Sequence, residues 1–478
     1  MKRQFWMSAV MCGALLTGCG GEESETVAPD SENPGSETPA PGVTGGKADS
    51  LFANGPLYVT GGFDGSKSFR MWQDTMRYAR DFQEKYGKRL SFTYFINTCY
   101  YDSSVRGSWI GTAKSQPEII ARTGLSQQAI NEGHEIANHA VRHQDGSGWS
   151  VDEWRKEIQE FHDFTDNNLF EPIFDEAGKA VFPKYEPVAS GTATGAACGT
   201  DSDCDSGICL SVNPDLSLCS ARCNKHNPCP DGMACGAPDW NRSTDRCMPL
   251  PKFPVEHNGQ ELFSAEGKPN LDHPDLKPYK VVGFRAPQLG HNKALFEILE
   301  EFDYMYDTSK ILRPGPPQRT NHGGTVFESI YQYALMKNPG SRTVPMDYNY
   351  KFNDVPGSRM LSDYKRSIVD AYNARQRQPW NIGHHFALWR NGEYWAAMKG
   401  ALEFAAEGCP KDDGTLQCED VLFPSFLELS LLLDGKIEEE ALRIGEADGT
   451  FEDPFLPAES REEENDVALE CICGDDSH

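Results

Sequence analysis

The chain has 478 residues, of which 45 are Lys or Arg and 72 are Asp or Glu, so the formal net charge is -27, and 38% of the residues are hydrophobic. At roughly 150 residues per domain the length predicts two or three units, while an acidic chain without a run of Lys and Arg excludes nucleic acid as a partner. The one sustained apolar stretch, Phe5 to Leu16, is shorter than the roughly 20 residues a bilayer core demands.

The amino terminus reads as an address. Lys2 and Arg3 precede the apolar run and Leu16-Thr17-Gly18-Cys19 closes it, a pattern that resembles a bacterial lipoprotein signal. That resemblance implies that residues 1–19 are a signal peptide, that Cys19 carries the lipid, and that the chain is anchored to a membrane. Gly20 rather than Asp after Cys19 points to an outer-membrane lipoprotein of the cell envelope, facing the periplasm or the cell surface. Residues 20–50 are Glu, Ser, Pro, Thr and Gly with little that is apolar, and read as a disordered acidic linker.

From there strands and helices alternate. Pro56 to Thr60 reads as a strand, Phe69 to Tyr86 as a helix with Met71, Met76, Ala79 and Phe82 on one face, and Leu90 to Ile96 as a buried strand. Ile119 to Ala129 is amphipathic, Glu135 to Ala137 is a short strand, and Val151 to Phe164 carries Trp154, Ile158 and Phe161 at helical spacing. Later come strand Lys280 to Phe284, helix Asn292 to Phe302, strand Tyr304 to Asp307, helix Ser362 to Arg375, strand Pro379 to Phe386 and helix Tyr394 to Glu407. The alternation predicts an α/β fold of parallel strands crossed by helices. Its two parts span residues 51–175 and 269–445, followed by an acidic tail over 446–478.

Between the two parts, residues 176–268 contain Cys198, Cys204, Cys209, Cys219, Cys223, Cys229, Cys235 and Cys247 without hydrophobic periodicity. Export places them in an oxidising compartment, so they read as four disulfides of a small inserted module, with zinc binding the lesser alternative and no pairing assigned. Cys409 and Cys418 read as a local bridge; Cys99, Cys471 and Cys473 leave an odd thiol.

Three patches carry chemistry. Gly61-Gly62-Phe63-Asp64-Gly65 puts a carboxylate on a glycine turn after a strand; His139 and His143 can bend onto one cation; Ile382-Gly383-His384-His385 closes another strand. All three fall at predicted strand C-termini, which a barrel gathers at one rim. One Asp and two His form a metal set that leaves coordination positions open.

Gly133-His134-Glu135-Ile136-Ala137-Asn138-His139 with His143, then Val281-Val282-Gly283-Phe284-Arg285-Ala286-Pro287, Tyr306-Asp307, and Ile382 to Trp389 resemble, in order, the motifs of polysaccharide deacetylases, with the animal chitin deacetylase branch the best fit. The resemblance implies a distorted (β/α) barrel of about seven strands, interrupted by the disulfide-rich module, and a metal-dependent hydrolase that removes acetyl groups from an N- or O-acetylated polysaccharide. It implies a divalent metal, most often zinc, on Asp64, His139 and His143, with Arg285 orienting the catalytic carboxylate and His385 as the acid, His384 being the substitute one register away. Gln288 would offer its backbone N–H to the oxyanion, and Trp389 would line the sugar pocket. The chain departs from the family where two adjacent acids are usual: Asp64 is followed by Gly65. Asp64 can therefore be the base or the ligand, not both, and the ligand assignment is the slightly favoured one, with Asp145 a candidate base. The rival expectation is a degenerate deacetylase-like lipoprotein that binds glycan.

Overall fold

Strand β1 (Leu57–Asp64) is buried along its whole length, as a strand must be when both faces of its sheet are covered. It lies at the heart of a computed structural model that describes residues 51–53, 55–236, 245–312, 315–336, 338, 343–374 and 377–443. Cys19, the segments 1–19 and 20–50, Cys471, Cys473 and the acidic tail lie outside the described residues.

Helix α1 (Phe69–Tyr86) begins at an N-cap, Ser68, whose hydroxyl accepts the Met71 N–H, and ends at Gly87 with φ 62°; that left-handed turn suits a residue without Cβ. Strand β2 (Phe92–Ile96), helix α2 (Gln116–Asn131) and strand β3 (Glu135–Asn138) follow. Helix α3 (Val151–Asn168) opens on a reciprocal Ser150–Glu153 capping box.

Next comes the disulfide-rich module: β4 (Cys209–Asn213), β5 (Leu216–Cys219), β6 (Arg222–Cys223), β7 (Met233–Cys235), β8 (Asp245–Pro249), β9 (Val255–His257) and β10 (Gln260–Phe263). They form small antiparallel sheets, β4 with β5, β6-β8-β7, and β9 with β10. The bridges are Cys198–Cys209, Cys204–Cys219, Cys223–Cys235 and Cys229–Cys247, two successive interlocked pairs. The chain leaves and re-enters the main fold side by side, with Glu171 N–H on the Lys277 carbonyl and Tyr279 N–H on that of Leu169. Among the described residues there are five disulfides, counting Cys409–Cys418, and they belong to an oxidising, extracytoplasmic compartment. Cys99 is a buried free thiol.

The second part supplies β11 (Gly283–Phe284), α4 (Lys293–Glu301), β12 (Tyr306–Asp307), β13 (Gln318–His322), β14 (Thr325–Gln332), α5 (Asp347–Phe352), α6 (Gly357–Tyr372), β15 (Trp380–His385), α7 (Trp389–Ala406), β16 (Val421–Leu422), α8 (Phe426–Leu433) and α9 (Glu440–Arg443). One sheet runs β13-β14-β12-β11-β3-β2-β1-β15, with β16 also paired to β1. Every pairing in it is parallel except β13 with β14. The sheet curls without closing, a half-barrel of the distorted (β/α) kind. Its nine strands are the six read from sequence, against about seven implied by the resemblance, plus the β13–β14 hairpin and β16, which carry too little apolar alternation to be read. Helix α8, buried from Phe426 to Leu432, plugs the concave side, where Phe426 and Leu429 pack on Tyr58, Phe95, Tyr306 and Tyr333. No helix among the described residues is long and apolar enough to cross a membrane.

Candidate active site

The parallel register sets the site. Asp64, the last residue of β1, is the register partner of His385, the last residue of β15. Phe284 on β11 pairs with Asn138 on β3, so Arg285 and His139 leave adjacent strand ends; the Arg285 N–H bonds the Asn138 carbonyl at 3.0 Å. All four residues therefore stand at the C-terminal rim, where loops rather than the strands decide chemistry.

Arg285 is fully buried and donates from Nη1 to Asp64 Oδ1 at 2.6 Å. Its Nη2 donates to Thr308 Oγ1 at 3.3 Å, and its guanidinium lies 4.2 Å from the centre of the Phe95 ring. Burial acts to raise the Asp64 pKa, but the Arg285 charge overrides it and holds the carboxyl below its usual value. Asp64 is thus an anion inside the rim, able to accept a proton.

His139 Nδ1 donates to the Arg285 carbonyl at 2.7 Å, because a carbonyl can only accept. That bond leaves Nε2 as the lone-pair nitrogen. The His143 ring stands 5.0 Å from it, centre to centre, and its Nδ1 is buried with no hydrogen-bond partner. Burial, and then the neighbouring His139 and His385, push the His143 pKa down to about 3; burial also lowers that of His139. Both rings are neutral at physiological pH. They are not on a helix: Ala140 at φ 60° and His143 at φ 54° bend the loop so that the rings meet. Sparsely populated backbone of this kind persists where surroundings over-determine it. Here Glu157 of α3 accepts the Val141 and Arg142 N–H groups, and Asn97 Nδ2 donates to the His139 and Ala140 carbonyls.

His385 is oriented from a place the sequence did not advertise. Asp347, the first residue of α5, takes His385 Nδ1 at 2.7 Å on Oδ1 and the His385 N–H at 3.0 Å on Oδ2, so proton exchange runs through Nε2. The only hint in sequence was that a working imidazole needs an acceptor for its other nitrogen. His384, one residue earlier on the strand, points the opposite way: it hydrogen-bonds the Tyr364 hydroxyl at 3.1 Å and packs on Phe63, and burial lowers its pKa to about 4. Trp389 is 4% exposed, its ring 5.0 Å from that of His385, and its Nε1 has no partner. Gln288 is half-buried in a left-handed turn at φ 56°, just past the Arg285-Ala286-Pro287 segment. Asp145 is exposed and accepts the Ser147 N–H, a turn contact.

The metal expected from the motifs needs a third protein donor beside the two imidazoles. Asp64 is committed to Arg285, and residue 65 is a glycine at φ 87° whose Cβ direction meets nothing within 4 Å. Among the described residues, the groups of three metal-capable side chains with donor atoms within 4.8 Å of one another are the cysteines Cys198, Cys204 and Cys219, and Cys223, Cys229 and Cys247. All six are in disulfides. The residues present do not fit a three-ligand metal site.

No protein-family model matches the chain, and no curated protein matches it. Among solved structures, the chain is similar to a Mycobacterium smegmatis protein described as a polysaccharide deacetylase, at 14% identity and TM-score 0.37, over 79% of this chain and 90% of that one. It is similar to a family 4 carbohydrate esterase from Streptomyces lividans at 10% identity and TM-score 0.30, over 73% and 89%. A mutant of a pseudoenzyme of the same esterase family, with restored activity, aligns at 9% identity and TM-score 0.34, over 79% and 68%. Each is a likeness at low identity.

Proposed function

We propose that this chain is an acetyl hydrolase acting on an acetylated polysaccharide of the cell envelope, held there by a lipid on Cys19. The observation that carries the reading is the pairing of Asp64 with His385 across β1 and β15, each held by its own partner, Arg285 or Asp347. Asp64 takes the proton from a water attacking the acetyl carbonyl, and His385 hands a proton through Nε2 to the departing oxygen or nitrogen. In this reading the Gln288 N–H would meet the developing oxyanion and Trp389 would border the acetyl group. Zinc polarises a carbonyl and activates water where a site binds it, but with two imidazole donors and no carboxylate the present residues supply no such assistance. O-acetyl esters, whose carbonyl is less resonance-stabilised than an amide's and whose alkoxide leaves more readily than an unprotonated amide nitrogen, are therefore the substrates this site serves first. Acetate release from O-acetylated xylan, N-acetylated chito-oligosaccharides and peptidoglycan by the wild type and by Asp64→Ala tests this. Turnover of the ester that disappears in the variant supports it.

The second reading is a glycan-binding relative without turnover. Gly65 favours it, since the residue beside the buried carboxylate offers no donor. Binding of the same polymers, unchanged in Asp64→Ala and without acetate release, selects it.

A further inference from the structure

The turn from Gly65 to Ser68 carries Asp64 from β1 into α1 and is gripped from two sides. From α2, the buried Arg122 donates through Nε to the Ser66 carbonyl at 3.0 Å and through Nη2 to the Lys67 carbonyl at 2.9 Å, and Trp72 Nε1 reaches the same Ser66 carbonyl at 3.0 Å. From the disulfide module comes Asp245, the first residue of β8, which is 3% exposed. Its Oδ2 accepts the Phe69 N–H at 3.1 Å and its Oδ1 the Arg70 N–H at 3.2 Å. With Ser68 Oγ on the Met71 N–H, the first three N–H groups of α1 are satisfied, two of them by a carboxylate about 175 residues away in sequence. Such groups have no partner within the helix itself, and a negative charge suits that end of the helix.

Asp245 is fixed in turn by the module's own construction. It is the register partner of Cys223 on β6, and Cys247 lies two residues along the same strand; both cysteines are in bridges, to Cys235 and Cys229. The fit against the main fold is tight: a Cβ on Gly236 would lie 2.2 Å from Asp245 Oδ2 and 2.9 Å from the Phe69 ring. Arg80 of α1 donates to Ser211 on β4 at 2.9 Å, so the contact extends along the helix.

We propose that the inserted disulfide module is a brace for the turn that presents Asp64, with Asp245 as its positioning residue. This role rests on the reading of Asp64 as the proton acceptor. Releasing the first turn of α1 leaves the turn over residues 65–68 held from the α2 side alone, by Arg122 on the Ser66 and Lys67 carbonyls, and loosens the segment that follows Asp64.

Hydrogen exchange on the full chain tests the brace without reference to turnover. In Asp245→Ala, amides from Gly65 to Trp72 are expected to exchange at least tenfold faster, with those of β2 and β3 unchanged; Asp245→Asn, which keeps one acceptor oxygen, restores most of the protection. Lys179→Ala, which removes an exposed ion pair to Asp215 elsewhere on the module, leaves the turn as it is. Where acetate release is measurable, Asp245→Ala lowers kcat several-fold with KM unchanged. Unaltered exchange at residues 65–72 in Asp245→Ala overturns the proposal, as does faster exchange spread evenly over the fold in both Asp245 variants. A chain without turnover in which the turn alone loosens defeats the hydrolase reading and leaves the brace standing.

Discussion

Asp64 and His385 are neighbours in register on adjacent parallel strands, yet the strong contacts of each run to different partners. Asp64 turns to Arg285 at 2.6 Å and His385 to Asp347 at 2.7 Å. One carboxylate is thereby held as an anion while the imidazole beside it is locked through Nδ1, a division of an acid and a base by environment.

The first consequence is kinetic. Asp64→Asn and His385→Gln should each lower acetate release by about 10²–10⁴-fold. Asp347→Asn should lower it less and shift the pH profile, because it alters the hydrogen-bond partner of the imidazole and leaves the ring in place. Steady-state rates on an O-acetylated polymer between pH 5 and 9 measure all three.

Arg285 has a structural consequence as well. Replacing one member of a buried pair leaves the other charge without compensation, so Arg285→Met is expected to cost about 3–5 kcal/mol in urea unfolding. The double variant Arg285→Met/Asp64→Leu should recover much of that loss, since neither charge is then buried. A double variant as unstable as the single one would show that the guanidinium's packing on Phe95 matters more than the ion pair.

Zinc binding separates the two assignments of Asp64. If Asp64 belongs to Arg285, the two imidazoles alone hold zinc weakly, and the purified chain should lose it on dialysis to about 1 µM free metal. Equilibrium dialysis that instead finds one retained zinc per chain, lost in both Asp64→Ala and His139→Ala, would return Asp64 to the ligand role. Gly65→Asp is not a simple repair, because φ 87° at that position strains any residue with a side chain.

Acid stability follows from His134, under the sheet. Its Nδ1 accepts the Phe92 N–H at 3.2 Å, and burial, with the charges of Arg89 and Arg80, lowers its pKa to about 3. The unfolded chain takes up this proton near pH 6.5 and the folded chain does not, so stability falls as pH drops from there, by about 2 kcal/mol at pH 5 from this group alone. Glu135, whose pKa burial raises to about 7, acts in the opposite sense by keeping its proton in the fold. Comparing urea midpoints at pH 7.5 and 5 for wild type and His134→Gln isolates the histidine: the wild type should lose about 2 kcal/mol more. Equal losses would mean that the His134 ring is solvated.

Much of this was legible in the sequence. The helix over Phe69–Tyr86 matches its periodicity residue for residue, because one apolar stripe and a Gly stop are local signals. Placement of His139 and Arg285 just past short strands could be anticipated for the same reason, as could the eight cysteines of a module without apolar periodicity; the strand expected to stop at Thr60 instead runs on through Gly61 and Gly62 to Asp64. The β13–β14 hairpin, the short helix α5 and the plug α8 were not, since neither an all-buried helix nor a polar hairpin shows a period. Asp347 was invisible for the same cause.

Composition, periodicity and motif order by themselves determined the α/β alternation, the inserted cysteine module, and the few side chains able to do chemistry. Only the tertiary structure decided which of them meet. Whether Asp64 belongs to Arg285 or to the histidines depends on which strand ends lie side by side and on φ at Gly65. The pairing of the eight cysteines, the Asp347–His385 contact and the grip of Asp245 on α1 likewise join residues far apart in the chain. Such contacts are fixed by register and close packing, which act between segments, and no local pattern of residue types encodes them.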